Sequence, residues 1–191
     1  MSFDVFRILQ VCDTDQLTPR LNYRDPRTRK WENLDEFDEL TRLLPLQSIP
    51  DIRLWTDTGE GSLWDFLSGD GYCGLMSERL CFEFAKYSGR CFQFLPVKVD
   101  AHPYYIPIRW EPLDCLDLDN ATVDRGDSRN PNRITWIRKY KFSTERLQDP
   151  CAFCTPEFER GYFIFVTGSV KIAIEKLGVF GVEFELVDTV G

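Results

Sequence analysis

"MSERLCFEFAKYSGRCFQFLPVKV", residues 76–99, carries the pattern on which the fold turns. Ser77 stands just before a run whose apolar residues, Leu80, Cys81, Phe84 and Tyr87, fall at helical spacing, and Gly89 follows the run. A hydroxyl before the first turn and a glycine past the last are start and stop signals of a helix. The period then falls to two. Phe92 and Phe94 alternate into a strand, in which Pro96 indicates an edge or a bulge. The stretch predicts a capped helix, a break and a strand.

The same order returns ninety positions later. A shift of that size lays Leu80 on Val170, Phe84 on Ile174, Tyr87 on Leu177, Phe94 on Phe184 and Val97 on Val187. An old duplication would produce this. So would the generic likeness of any two amphipathic helix–turn–strand units, which is the simpler reading of the sequence.

Working outward, "FDVFRILQV" (3–11), "DIRLWTD" (51–57), "GYFIFVTG" (161–168) and "VEFELV" (182–187) read as strands. So do "YYIPIRW" (104–110), with Tyr104, Ile106, Ile108 and Trp110 on one face, and "ITWIRKYKF" (134–142), with Ile134, Trp136, Tyr140 and Phe142 together. "NLDEFDELTRLL" (33–44) predicts a helix capped by Asn33, with Phe37, Leu40 and Leu44 inward. "SVKIAIEKLG" (169–178) predicts another, with Val170, Ala173, Ile174 and Leu177 inward. "SLWDFLSG" (62–69) reads as a helical turn begun by Ser62, and 13–31 and 119–133 read as loops. Strands joined by short connections point to an α+β fold: a mostly antiparallel sheet with two or three packed amphipathic helices. Residues 1–50 then form a strand, a loop and an acidic helix of the same domain, and 51–191 its main α+β body.

Hydrophobic residues make up 43% of the 191 and aromatics 14%, enough for a real core. No apolar run reaches the roughly 20 residues that span a bilayer, and "MSFDVFRILQ" lacks the pattern of a secretory signal, so a soluble, cytoplasmic protein is expected. The formal charge of −8 is uneven: residues 1–70 hold 8 basic and 14 acidic side chains, a net of −6. Such a chain is a poor partner for nucleic acid and a better one for a basic protein.

Seven cysteines at irregular spacing include the C-x-x-C of "DPCAFCTP" (149–156). A structural zinc needs four ligands, and the chain has one such pair and one histidine, His102. Pro150 and Pro156 bracket the pair in what reads as an irregular connection, unlike the helix start of a redox site. Cys151 and Cys154 are therefore read as packing groups, with no metal and no cofactor expected. No G-x-x-x-x-G-K-[ST] loop and no H-E-x-x-H occur. The tightest carboxylate cluster, Asp114, Asp117 and Asp119, leaves open a small carboxylate-dependent hydrolase or transferase, against the simpler role of capping a turn.

The second half resembles the bacterial immunity proteins of polymorphic toxin systems, in the Imm-eleven class. "DFL" (65–67), "LMSERL" (75–80), "FLPVKV" (94–99), "YYIPI" (104–108), "DCLDLDNA" (114–121) and "VTGSVKIAIEKLGVFGVEFELV" (166–187) carry the likeness in order and spacing over roughly 50–188. Where this chain has "CAFCTPE", the family pattern has an apolar–aromatic segment without the cysteine pair. The resemblance implies a cytoplasmic, non-enzymatic protein that binds and neutralises a cognate toxin, with no catalytic residue to carry over. Binding of that kind needs aromatic anchors within a complementary charge field. Asp35, Glu36, Asp38 and Glu39, on the outer face of the predicted helix, and Trp31, Trp55 and Trp64 are the candidates. The alternatives are a solvated helix face for the acids and core positions for the tryptophans.

Overall fold

The computed structural model describes residues 4–10, 19–24, 31–33, 52–56, 63–67, 74–126, 133–157, 163–187 and 189–190. In chain order the elements are β1 (Val5–Gln10), β2 (Pro19–Arg24), β3 (Trp31–Asn33), β4 (Ile52–Thr56), β5 (Phe66–Leu67), β6 (Leu75–Ser77), α1 (Glu78–Ser88), β7 (Phe92–Val99) and β8 (His102–Arg109). The second half adds β9 (Thr122–Arg125), β10 (Ile134–Lys139), β11 (Phe142–Ser143), β12 (Ala152–Phe153), β13 (Phe165–Thr167), α2 (Gly168–Lys176), β14 (Val182–Val187) and β15 (Thr189–Val190). The class is α+β, with mostly antiparallel sheets and two helices among the described residues.

Two sheets dominate: one of seven strands, ordered β3-β2-β4-β7-β8-β6-β5, and one of four, ordered β12-β13-β1-β14. Four strands of the larger sheet repeat the smaller one in register. Tyr104 of β8 lies between Ser77 of β6 and Val97 of β7, as Val5 of β1 lies between Thr167 of β13 and Val187 of β14. Both flanking residues are related by ninety positions (77 to 167, 97 to 187), and one residue along, the pairs Tyr105–Met76 and Phe6–Val166 repeat the relation. At the outer side β5 pairs with β6 as β12 pairs with β13, Phe66↔Met76 matching Ala152↔Val166. Generic helix–strand likeness does not set a common register across four strands. The sequence correspondence is thus a structural repeat, with the central strand following its partners in one unit (β8) and preceding them in the other (β1).

Each helix sits between equivalent strands and buries one face. Ser77 caps α1, its Oγ accepting from Leu80 N at 3.4 Å, and Leu80, Cys81 and Phe84 are buried. Gly89, at φ +51°, ends it. In α2, Val170 and Ile174 are the fully buried positions. The core is one cluster with a strongly aromatic end: the rings of Phe142 and Phe165 lie 4.9 Å apart, and Tyr140 and Phe153 pack around them.

Several expectations need correction. Residues 19–24, read as loop, form β2, where Leu21 and Tyr23 supply a strand's alternation. Residues 122–125, also read as loop, form β9, paired with β10. "SLWDFLSG" contains no helical turn at Phe66 and Leu67, which pair as β5 with Met76 and Leu75. The single face assigned to Ile134, Trp136, Tyr140 and Phe142 is broken by register shifts at both ends of β10. Trp136 is 51% exposed and Ile137 is buried instead. Pro96 lies in an inner strand, but the pairing of β4 with β7 involves Lys98 and Val99 only, so this proline meets no described neighbour on that side. Asn33 is the last residue of β3, and the rest of the helix read over 33–44 lies outside the described residues.

Candidate functional site

The repeat creates two seams in which an outer strand of one unit meets the helix–strand turn of the other. At the first, the backbone N–H of Phe66 donates to Phe180 O at 3.2 Å, and Phe180 N–H donates to Asp65 Oδ2 at 3.0 Å. Asp65 is 6% exposed, and its other donors come from its own unit. Ser77 Oγ and Arg79 Nε both reach Oδ1 at 2.6 Å, and Arg79 Nη2 closes the fork on Oδ2. The same guanidinium reaches the carbonyls of Leu177 and Gly178 at 3.4 Å, at the C-terminal end of α2, where the helix dipole favours a cation. Burial pushes the Asp65 carboxyl up, but the bonds from Arg79, Ser77 and Phe180 outweigh it and hold its pKa below the ordinary value. Asp65 is therefore a charged brace.

Gly181 completes this seam. It lies at φ +86°, and a Cβ there would sit 2.5 Å from Phe66 O and 2.9 Å from the Trp64 ring. At the second seam the equivalent turn residue, ninety places earlier, is Cys91. It meets the strand that carries the C-x-x-C pair, with Cys154 Sγ 3.9 Å from Cys91 O. The pair is thus explained by packing. All five described cysteines are free thiols, and Cys154 is fully buried. Burial pushes the Cys151 thiol up to about 12 and raises that of Cys91 as well, so neither is poised for metal binding or exchange. Among the described residues no group of three or more His, Cys, Asp or Glu could hold a metal ion.

Beside the first seam lies a shallow open groove of about 730 Å³, bordered by Trp64, Asp65, Arg79, His102 and Tyr104. Tyr104 donates to Trp64 O at 2.6 Å and fixes the floor. His102 starts β8 immediately after the Asp100–Ala101 turn. Asp65 itself, ionised and held by four donors, is not free to take or give a proton; Glu78 and Asp100 are the other carboxyls on the groove's border.

Asp117 caps a turn. Its Oδ1 accepts from Asp119 N and Asn120 N at 3.2 and 3.3 Å, and its Oδ2 accepts from Asn120 Nδ2 at 2.7 Å. The Asn120 side chain, with these backbone donors, lowers its pKa. Asp114 points to Arg146 at 3.6 Å, and its carbonyl also accepts from that residue. The cluster "DCLDLD" is a connection held by its own hydrogen bonds.

Of the residues singled out for partner binding, Asp35, Glu36, Asp38 and Glu39 lie outside the described residues. Trp31 and Trp55 fall in β3 and β4, where the backbone alone is described. Trp64 is half-buried and packs against the core. The Asp65–Arg79 brace escaped the sequence reading, although "DFL" and "LMSERL" carry its residues. The structure brings those two motifs together inside the fold.

No curated protein matches the chain. A family profile does, over residues 9–189 of 191, which includes every element from β2 to β14. The chain belongs to the immunity protein family, Imm11.

Proposed function

We propose that this protein protects a bacterial cell by binding a cognate toxin and blocking it stoichiometrically, without catalysis. The observation that carries the reading is family membership over nearly the whole chain. The chemistry of the carboxylates agrees with it: of those weighed for acid–base work, Asp117 caps a turn and Asp114 faces Arg146, and Asp65, beside the groove, is locked in a brace. The net charge of −8 favours a basic partner and speeds encounter with it. A cytoplasmic site of action fits this role, and among the described residues no helix is long and apolar enough to cross a membrane.

The test is co-expression. The toxin domain encoded beside this gene, induced alone, should stop growth, and co-expression of this chain should restore it. Continued arrest in the presence of the folded chain would reject the proposal.

A further inference from the structure

We infer that the outer edge of β14 is where the toxin docks, through an extended segment of alternating basic and apolar residues that adds to the four-stranded sheet. The inference rests on the toxin-binding reading and specifies its contact surface. It comes from a place where, among the described residues, the two units differ. β7 and β14 are equivalent strands, each flanking the central strand of its unit on the same side. In the first unit the outer edge of β7 receives a further strand, β4, in parallel through Arg53↔Lys98 and Leu54↔Val99. In the second unit no described strand lies beyond β14.

A bare edge presents a row of backbone donors and acceptors, and proteins usually blunt such edges with proline, lysine or a bulge. β7 has both Pro96 and Lys98. β14, "VEFELV", has neither, and pairs with β1 over six consecutive residues without a break in register. At about 3.3 Å per residue it offers roughly 20 Å of regular edge. Along it the faces differ in chemistry. Glu183 and Glu185 are exposed on one, Glu185 already paired with Arg7 of β1, and Phe184 and Leu186 lie on the other, with Leu186 62% exposed. A strand laid alongside would set its own alternate residues against these, basic opposite the glutamates and apolar opposite Leu186.

A second copy of the chain fits poorly. Two β14 strands paired antiparallel about a two-fold axis at Phe184 would place Glu183 opposite Glu185 of the other copy, where like charges repel.

The experiment uses the toxin domain encoded beside the gene and the full chain, in a complex first shown to restore growth. Amide hydrogen exchange is measured on the free chain and on the complex. Binding is then measured for a Glu183→Lys, Leu186→Lys double variant and for a control, Arg138→Glu, on the β9–β10 hairpin. The expected result is at least tenfold slower exchange across 182–187 in the complex, at least tenfold weaker binding by the double variant, and no change for the control. Growth rescue with unchanged exchange across 182–187 overturns the docking site and leaves the function standing. Absence of rescue overturns the function itself. Protection of β14 in the free monomer would assign the edge to another segment of this chain, and protection that grows with concentration of the chain alone would assign it to a second copy. Either result overturns the inference.

Discussion

Replacing Asp65 by alanine tests whether the seam between the repeat units is held by a buried charge. The substitution removes the acceptor for Ser77 Oγ, for Phe180 N–H and for the Arg79 fork. Arg79 is half exposed and can return to water, so little of the cost comes from it. A donor left fully buried without an acceptor costs about 1–3 kcal/mol, and the two remaining donors are only part-buried, so the total is about 2–4 kcal/mol. At about 2–4 °C per kcal/mol for a chain of this length, Tm should fall by roughly 4–16 °C. Adding Arg79→Met to Asp65→Ala should cost little more, since its partner is already gone. The pH dependence has a definite sign. The folded pKa of Asp65 lies below the ordinary 3.8, so its contribution is present above that value and disappears as pH falls through the folded value. Differential scanning calorimetry of wild type and Asp65→Asn from pH 7 down to pH 3 should show the gap between them closing at the acid end. A Tm for Asp65→Ala within about 1 °C of wild type, or a gap that is flat with pH, would refute the brace.

Gly181→Ala and Gly89→Ala should differ although both sites have positive φ, which costs an ordinary residue about 1–2 kcal/mol. The second meets open space and should cost little beyond that, whereas the first drives a methyl into Phe66 O and Trp64 and should lower Tm by clearly more. In the native protein at pH 8, Cys81, Cys91, Cys115, Cys151 and Cys154 should resist a thiol-specific reagent and react only after urea unfolding, as mass spectrometry of the labelled peptides can show. Glu157 has one carboxylate oxygen, Oε2, buried without a hydrogen-bond partner among the described residues, and burial raises its pKa above the ordinary 4.5. The unfolded chain releases that proton first, so the native state is penalised as pH rises past 4.5. Glu157→Gln should therefore raise Tm at pH 7 and leave it unchanged near pH 3.5.

Much of this architecture was legible because it is local. Ser77, Gly89 and the spacing of Leu80, Cys81 and Phe84 define α1 without help from the rest of the chain, and "VEFELV" reads as a strand by alternation alone. The reading failed where tertiary partners decide. Phe66 and Leu67 form a strand because Leu75 and Met76 lie beside them, which no periodicity around Trp64 reveals. Register shifts in β10 turned Trp136 outward against an alternation that had placed it with Tyr140 and Phe142. The ninety-residue correspondence was visible in the letters. Its meaning came from shared register, including a central strand displaced in chain order that a simple shift cannot find. The seam was hidden for the same reason: Asp65 and Phe180 are 115 positions apart and belong to different units.

The central claim is that the molecule acts by occupying a partner's surface, and the most direct measurement is a titration of toxin activity. With the toxin domain held well above its dissociation constant, increasing amounts of this chain should reduce activity in a straight line that reaches zero at one equivalent, with both proteins recovered intact from a 1:1 complex. Complete loss of activity at a small fraction of an equivalent, with the toxin chemically altered, would show turnover and contradict the account.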